Sequence, residues 1–439
     1  MRFPNPDVAS CRPIWKVHQP MPRLAFALAL ILSASPAAAQ DTREQIAADQ
    51  RKARSGEVRP VEPGRLERTF LTLSDERVLD RLFNPRRGLF VRTGLPVQGA
   101  AIAAGPAWRA SDFNRRYTFT ASTAVSVSRE WIGELALQVP DLVPSLGADR
   151  VFADLSVSRS GRIGNEFWGL GMSSADADPS VFRLSQRIGA GTLGVRVTPW
   201  LSTGTTVSWL TPHVRSTSTG GGPSILDVYD ESTAPGLATQ PTFFRSDVFV
   251  DLDYRDSQPP TRTAPRLDRL PLTGASSGGR YQVRFASYND TEAEHYSFTQ
   301  TTIDLQQHLP LLQGHRVLSL RALGVFSDPE AGHEVPFYLS PTYGGLAMGR
   351  GFQTFRFRDR HLLVLQGEYR YQVSPLLGGA VFLDAGQVAP TAHALAWSQF
   401  ETTYGVGVRF GFGGAAALRM DFALGGDAPS FIMAFGHAF

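Results

Sequence analysis

Glu368, in GEYRY, and Asp384, in FLDAG, are the carboxylates whose surroundings first suggest chemistry. Two acids close together can divide the roles of general acid and general base. No other part of a catalytic apparatus accompanies them. The sequence holds no His-Glu-x-x-His helix, no cysteine cluster and no Gly-Lys phosphate-binding loop, and its 9 histidines are scattered. His361 and Ser374 are not spaced as the adjacent nucleophile and base that a barrel phospholipase would need. The chain is therefore expected not to be an enzyme and to use no cofactor or metal, and its paired acids are expected to serve structure.

The compartment comes from the other end of the chain. From Met21 the sequence reads MPRLAFALALILSASPAAAQ, with Arg23 as the positive start, Leu24 to Leu32 as the apolar run and Ala37-Ala38-Ala39 as a cleavage site before Gln40. This is the pattern of a secretory signal peptide, too short in its apolar part to span a bilayer as a helix. The expected leader is residues 1–39, with translation starting at Met21. The one cysteine, Cys11, lies in this region, so the exported chain is expected to hold together without disulfides. Cleavage also removes Arg2, Arg12, Lys16, Arg23 and Asp7, which takes the totals from 43 basic and 40 acidic residues to 39 of each. A balanced chain whose arginines are spread through alternating segments lacks the concentrated basic face that nucleic-acid binding needs.

From Arg92 to Phe439 the chain shows period-two segments punctuated by Gly, Pro, Asp and Ser, with almost no helical periodicity and no linker-like break. In HLLVLQGEYRYQV, residues 361–373, Leu363, Leu365, Tyr369, Tyr371 and Val373 share one face, and Gln366, Glu368, Arg370 and Gln372 share the other. Residues 244–255 set Val248, Val250, Leu252 and Tyr254 against Arg245, Asp247, Asp251, Asp253 and Arg255. Residues 418–424 set Leu418, Met420, Phe422 and Leu424 against Arg419 and Asp421.

A soluble sandwich alternates in the same way. The signal peptide, together with aromatics near strand ends (Trp108, Tyr117, Trp131, Trp200, Trp209, Tyr254, Tyr281), favours a barrel with lipid outside and a polar lumen. Candidate strands fall at 100–109, 117–128, 132–139, 150–159, 181–189, 191–199, 203–211, 242–254, 280–289, 295–308, 315–327, 361–373, 377–388, 402–412, 415–425 and 430–439. The expected fold is all-β, a 16-stranded antiparallel transmembrane β-barrel over residues 84–439, with a short periplasmic or lumenal extension at 40–83. That extension contains a candidate helix from Ser74 to Leu82.

With the N-terminus in the periplasm, the long stretches 212–241 and 328–360 fall on the outer side. The connection 256–279 breaks this rule, being long where turns should be short. The chain ends SFIMAFGHAF, with Phe431, Met433, Phe435 and Phe439 in one exposed-face series, an aromatic strand suited to adding onto another sheet edge.

One stretch does not alternate. Residues 344–359, GGLAMGRGFQTFRFRD, gather glycines and arginines around aromatic rings. With its Arg350-Gly351-Phe352 triplet, this segment resembles the sixth extracellular loop of the outer-membrane assembly factor superfamily, the bacterial surface antigen barrels that include BamA and TamA. Asn84-Pro85-Arg86-Arg87-Gly88 is similar to that family's barrel start. Phe167-Trp168-Gly169-Leu170-Gly171 is similar to its Phe-x-Gly-x-Gly turn, and Gly278-Gly279-Arg280-Tyr281 to its ninth-strand start. The resemblance implies that the loop folds back into the barrel and that Arg350 meets Glu368 and Asp384 on the lumen wall.

It also implies that the C-terminal strand is an assembly signal read by the barrel assembly machinery, and that the barrel sits in outer-membrane lipid and lipopolysaccharide. Two features depart from the family pattern. Gly349 stands where the family usually has Val or Leu, and the 44 residues from Gln40 to Phe83 are too few for a periplasmic POTRA domain. Two roles stay open: insertion or translocation of a client protein or lipid at the outer membrane, and a passive pore or structural barrel working with a periplasmic partner.

Overall fold

The computed structural model describes residues 85, 87–94, 103–112, 116–127, 129–147, 149–174, 179–257, 274–311, 316–374, 376–411 and 417–439. All belong to the second of two compact units, Gly64–Phe439. The expected signal peptide, the 40–83 extension and the helix from Ser74 lie outside the described residues.

Among the described residues, sixteen antiparallel strands follow one another in chain order around a single sheet. They are β1 (Gly88–Gly94), β2 (Ala103–Ser111), β3 (Thr118–Ser126), β4 (Trp131–Val139), β5 (Val151–Phe167), β6 (Ser180–Thr198), β7 (Leu201–Ser216), β8 (Phe243–Asp253), β9 (Gly278–Asp290), β10 (Phe298–Leu311), β11 (Arg316–Pro329), β14 (His361–Gln372), β15 (Leu377–Ala389), β16 (Glu401–Gly411), β17 (Ala417–Leu424) and β18 (Ser430–Phe435). A ribbon of β12 (Thr342–Tyr343) and β13 (Phe357–Arg358) stands apart inside the long loop between β11 and β14. The sheet is a transmembrane β-barrel, and β18 meets β1 at its seam. Among the described residues no helix is long and apolar enough to cross a membrane; the strands cross it.

Burial follows the alternation. Along β14 the side chains of Leu362, Val364, Gln366, Glu368 and Arg370 are buried inside, while Leu363, Leu365 and Tyr369 lie on the opposite, half-exposed face. Val248 and Val250 on β8, Val283 and Phe285 on β9, and Val381 and Leu383 on β15 are exposed apolar residues on the lipid side. Adjacent residues in β9 make a direct test. Val283→Arg should cost roughly 2–4 kcal/mol of unfolding free energy in urea titrations of the vesicle-inserted barrel, because a charge near the bilayer midplane has no partner. Gln282→Arg, one residue away on the lumen face, should cost far less; equal costs would contradict the assignment of faces.

The count of sixteen matches the sequence expectation, but through two compensating errors. The spans 181–189 and 191–199 form one strand, β6, which runs unbroken through Gly189, Ala190 and Gly191. In the fold they pair without interruption with Val157, Ser156 and Leu155 on β5 and with Trp209, Ser208 and Val207 on β7. The missing strand is β1, seven residues bounded by glycines, too short to display a clear alternation. The start at Gly88 agrees with the motif Asn84 to Gly88, and β9 begins at Gly278, where the Gly-Gly-Arg-Tyr motif does.

Because one strand was gained and one lost before β7, the sidedness of the later loops is unchanged. The stretch 217–242 is no loose tether. Together with 291–297 and 330–341 it builds a dome with its own core of Phe167, Phe182, Ile225, Phe243, Phe298 and Phe337. Phe337 donates its N–H to the Pro235 carbonyl at 2.8 Å, and Tyr296 donates its hydroxyl to Glu231 at 2.6 Å. Glu231 also accepts the Ala238 N–H at 2.8 Å. The Asp230 carboxylate accepts the N–H groups of Ser232 and Thr233, and these bonds with both hydroxyls hold its pKa below the ordinary carboxylate value.

The connection after β8 also gains a partial account. Residues 258–273 lie outside the description, but its returning end, at Gly274, lies against the ring of His437 and the guanidinium of Arg370. Gly274 has φ +74°, a conformation glycine adopts without penalty. The returning end of the connection, from Gly274, therefore lies beside Arg370 and the C-terminal residues.

The C-terminal series is corrected at its last member. Phe431 and Met433 are exposed on β18, and Phe435 pairs with Leu418 through the backbone. The strand ends there, and the Phe439 ring lies 5.2 Å from the Arg370 guanidinium carbon, away from the lipid-facing row.

Candidate functional site

Loop six, residues 330–360, leaves β11, contributes to the dome and then descends into the lumen. Short-range geometry makes the descent feasible. Gly344, Gly345 and Gly349 all have positive φ, and the Gly349 N-terminal to the arginine approaches the Tyr343 ring so closely that a Cβ would lie 2.7 Å from it. This explains the departure from Val or Leu at 349: Tyr343, fully buried, already fills the space. Tyr343 stacks on Phe357 at 6.2 Å, and Phe352 of the triplet packs edge-on to Phe357 at 5.1 Å. Met348, Leu323, Leu362, Val364 and Val388 complete this apolar anchor.

Arg350 sits at the bottom with no solvent exposure. Its Nε and Nη2 both donate to the Asp384 carboxylate, each at 2.8 Å, a bidentate fork. Its backbone N–H adds a third bond to the same Asp384 at 3.2 Å. Nη1 donates to Glu368 Oε2 at 2.8 Å and to Asp421 Oδ2 at 3.2 Å. The guanidinium carbon lies 3.5 Å from the Phe382 ring centroid, a cation–π contact in a desolvated place. Burial works against the charge on Arg350, but Asp384, Glu368 and Asp421 outweigh it and raise its pKa above the ordinary arginine value.

Around this centre lies a second set of arginines. Arg370 donates to Glu368 Oε1 at 3.0 Å, Arg409 to Glu368 Oε1 at 3.0 Å and to Asp421 Oδ1 at 2.5 Å, and Arg419 Nε lies 3.5 Å from Asp421. Gln366 donates to Asp384 Oδ1 at 3.0 Å and to the Ala347 carbonyl of loop six at 2.8 Å. All these charged side chains are essentially buried. Such a network holds only because each charge has several partners; removing one member leaves the others exposed to the full cost of burial.

The sequence motifs thus meet in space. Arg350 touches both acids implied by the family resemblance. The Phe-x-Gly-x-Gly turn reaches loop six as well: Gly171 donates its N–H to the Arg358 carbonyl at 2.8 Å, and Arg356 lies 4.6 Å from the Trp168 ring. The residues the sequence did not single out as part of the site are Asp421, Arg370, Arg409, Arg419, Tyr343 and Phe382. A signal for Asp421, Arg370 and Arg419 was present, since all three fall on polar strand faces; what the sequence lacks is the order of strands around the lumen that brings them to one point.

Glycines keep the space open. Gly426, in the β17–β18 connection, touches the Gly351 carbonyl, and Asp427 beside it accepts the Gln353 N–H at 3.0 Å and Arg356 Nε at 3.1 Å. A Cβ at 426 would occupy the place of the Gly351 carbonyl. Gly426→Ala should therefore displace the loop tip and make loop six cleavable by added protease in intact vesicles, with the barrel still folded; a loop as resistant as the unaltered one would contradict this contact.

The fold at the site is a sixteen-stranded antiparallel barrel whose Arg-Gly-Phe loop docks against the lumen wall. Residues 274–436 match the Omp85 superfamily domain. Comparison with curated proteins finds no match. Among solved structures it is similar to BamA from Haemophilus ducreyi lacking POTRA domains 1–3, at 12 % identity, TM-score 0.55, 80 % of this chain and 69 % of that one. It also matches CdiB from Escherichia coli at 12 % identity and TM-score 0.46, over 80 % of this chain and 60 % of that one. The BamA likeness supports the fold.

Proposed function

We infer that this barrel assists insertion or translocation of a client polypeptide or lipid at the outer membrane of a Gram-negative cell, to which a cleaved signal peptide exports it. The observation that carries this reading is the lumenal anchoring of Arg350 to Glu368, Asp384 and Asp421 by a loop that occupies the barrel interior. A rigid plug of this kind suits a barrel that works at its wall better than one that conducts through its centre. The sheet is also uneven: β5 and β6 have 17 and 19 residues, whereas β1 and β18, which meet at the seam, have 7 and 6. Short edge strands offer few ladder bonds and are the place where a client strand could add to the sheet.

The second reading is a passive pore or structural barrel working with a separate periplasmic partner. A cavity of about 480 Å³ beside loop six, lined by both polar and apolar side chains, favours it, since that space has room for small solutes. Liposomes reconstituted with the purified barrel separate the two. An assembly factor should accelerate folding of an added client barrel and conduct little; a pore should conduct ions with no effect on the client. Conductance without acceleration would overturn the first reading.

A further inference from the structure

Not every cation of loop six is neutralised. Arg358 in β13 is 5 % exposed, and among the described residues no carboxylate pairs with it. Its Nη1 donates to the Phe337 carbonyl at 2.6 Å, while its Nε has no partner. Burial, with a further contribution from the like charge of Arg162, lowers its pKa to about 9, so it remains a cation at neutral pH. The contrast with Arg350, which has three carboxylates, is sharp.

Arg358 lines the 480 Å³ cavity between loop six and the lumen wall. Arg162 of β5 lines the same space. It is tied to Glu130 at 3.0 Å and lies in the field of Glu166, but its Nη1 has no partner. The Phe355 ring lies 4.6 Å from the Arg162 guanidinium carbon and 5.7 Å from that of Arg358. Phe355 holds this position with φ 65°, a left-handed conformation that is unfavourable for a bulky residue. Elsewhere on the wall Asp304 is matched by Arg321 through two bonds of 2.9 Å. Asp359, next to Arg358, lines a different cavity. The excess charge facing the 480 Å³ space is therefore positive.

We propose that this cavity is a binding site for a phosphate group, with Arg358 as its principal contact and Arg162 as a second donor. An arginine fork matches the geometry of a phosphate, and an anion here would satisfy N–H groups that are otherwise buried without partners. The space exceeds what a bare phosphate needs and leaves room for an attached sugar or glycerol unit. The phosphate could be carried by a lipid head group or by a free solute.

The test is thermal unfolding of the whole barrel in micelles, titrated with inorganic phosphate against sodium chloride of equal ionic strength. Phosphate should raise the melting temperature saturably beyond chloride, and Arg358→Gln should weaken its apparent affinity by at least about tenfold. No rise beyond chloride, or an undiminished rise in folded Arg358→Gln, overturns the proposal. Should that variant fail to fold, tungstate soaked into crystals of the unaltered barrel decides: an anomalous peak within hydrogen-bonding reach of Arg358 supports the site, and its absence there refutes it. Tighter binding of dihexanoyl phosphatidic acid than of glycerol 3-phosphate assigns the lipid source, and the reverse order assigns the solute.

Discussion

Arg350→Ala is expected to lower the stability of the inserted barrel by roughly 3–5 kcal/mol, the cost of breaking a buried ion network from one side. Net charge does not decide this result. The cluster has four arginines (350, 370, 409, 419) against three carboxylates (Glu368, Asp384, Asp421), so losing Arg350 leaves three of each. What fails is the local pairing. Glu368 keeps Arg370 and Arg409, and Asp421 keeps Arg409 and Arg419, but Asp384 is left with Gln366 alone. The variant should lose heat resistance in gel-mobility assays and expose loop six to protease. Arg350→Lys should fall between, because it keeps the charge but cannot form the bidentate fork. An unchanged unfolding transition in Arg350→Ala would refute the pairing.

The second large effect is expected in the dome. Phe337 is fully buried, with Phe167 at 5.0 Å and Phe182 at 5.2 Å between ring centroids. Phe337→Ala should cost about 3–5 kcal/mol of local stability, since it removes a large ring from a closed core. The loss should be confined to the outer loops. Protease should cut within 217–242 and 330–341 while the barrel keeps its heat-modifiable mobility. Loss of barrel and dome together would mean that they unfold as one unit, against the separation of the dome core from the lumenal anchor around Tyr343.

These two sites differ in how far the sequence revealed them. Period two in β8, β14 and β17 gave the lipid and lumen faces directly, because one face meets hydrocarbon and the other a polar interior. The triplet Arg350-Gly351-Phe352 and the acids Glu368 and Asp384 were legible through family resemblance, and the geometry brings them together. Asp421 and Arg409 were not legible as partners, since their meeting with Glu368 depends on the register across β14 to β17. The dome was hidden for another reason: its core joins aromatics at the ends of β5, β6, β8 and β10 to single residues of separate loops that have no period. The β6 error has the same origin, as a Gly-Ala-Gly sequence means turn or strand only according to its neighbours.

The central claim is that Arg350 is held in the lumen by direct pairing with Asp384. A double-mutant cycle on Arg350→Ala and Asp384→Asn, read by urea unfolding in vesicles, measures that pairing. The account predicts that Asp384→Asn recovers much of the stability lost in Arg350→Ala, with a coupling of about 2 kcal/mol or more. Additive losses, with coupling near zero, would show that the two side chains do not hold each other and that loop six is anchored by something else.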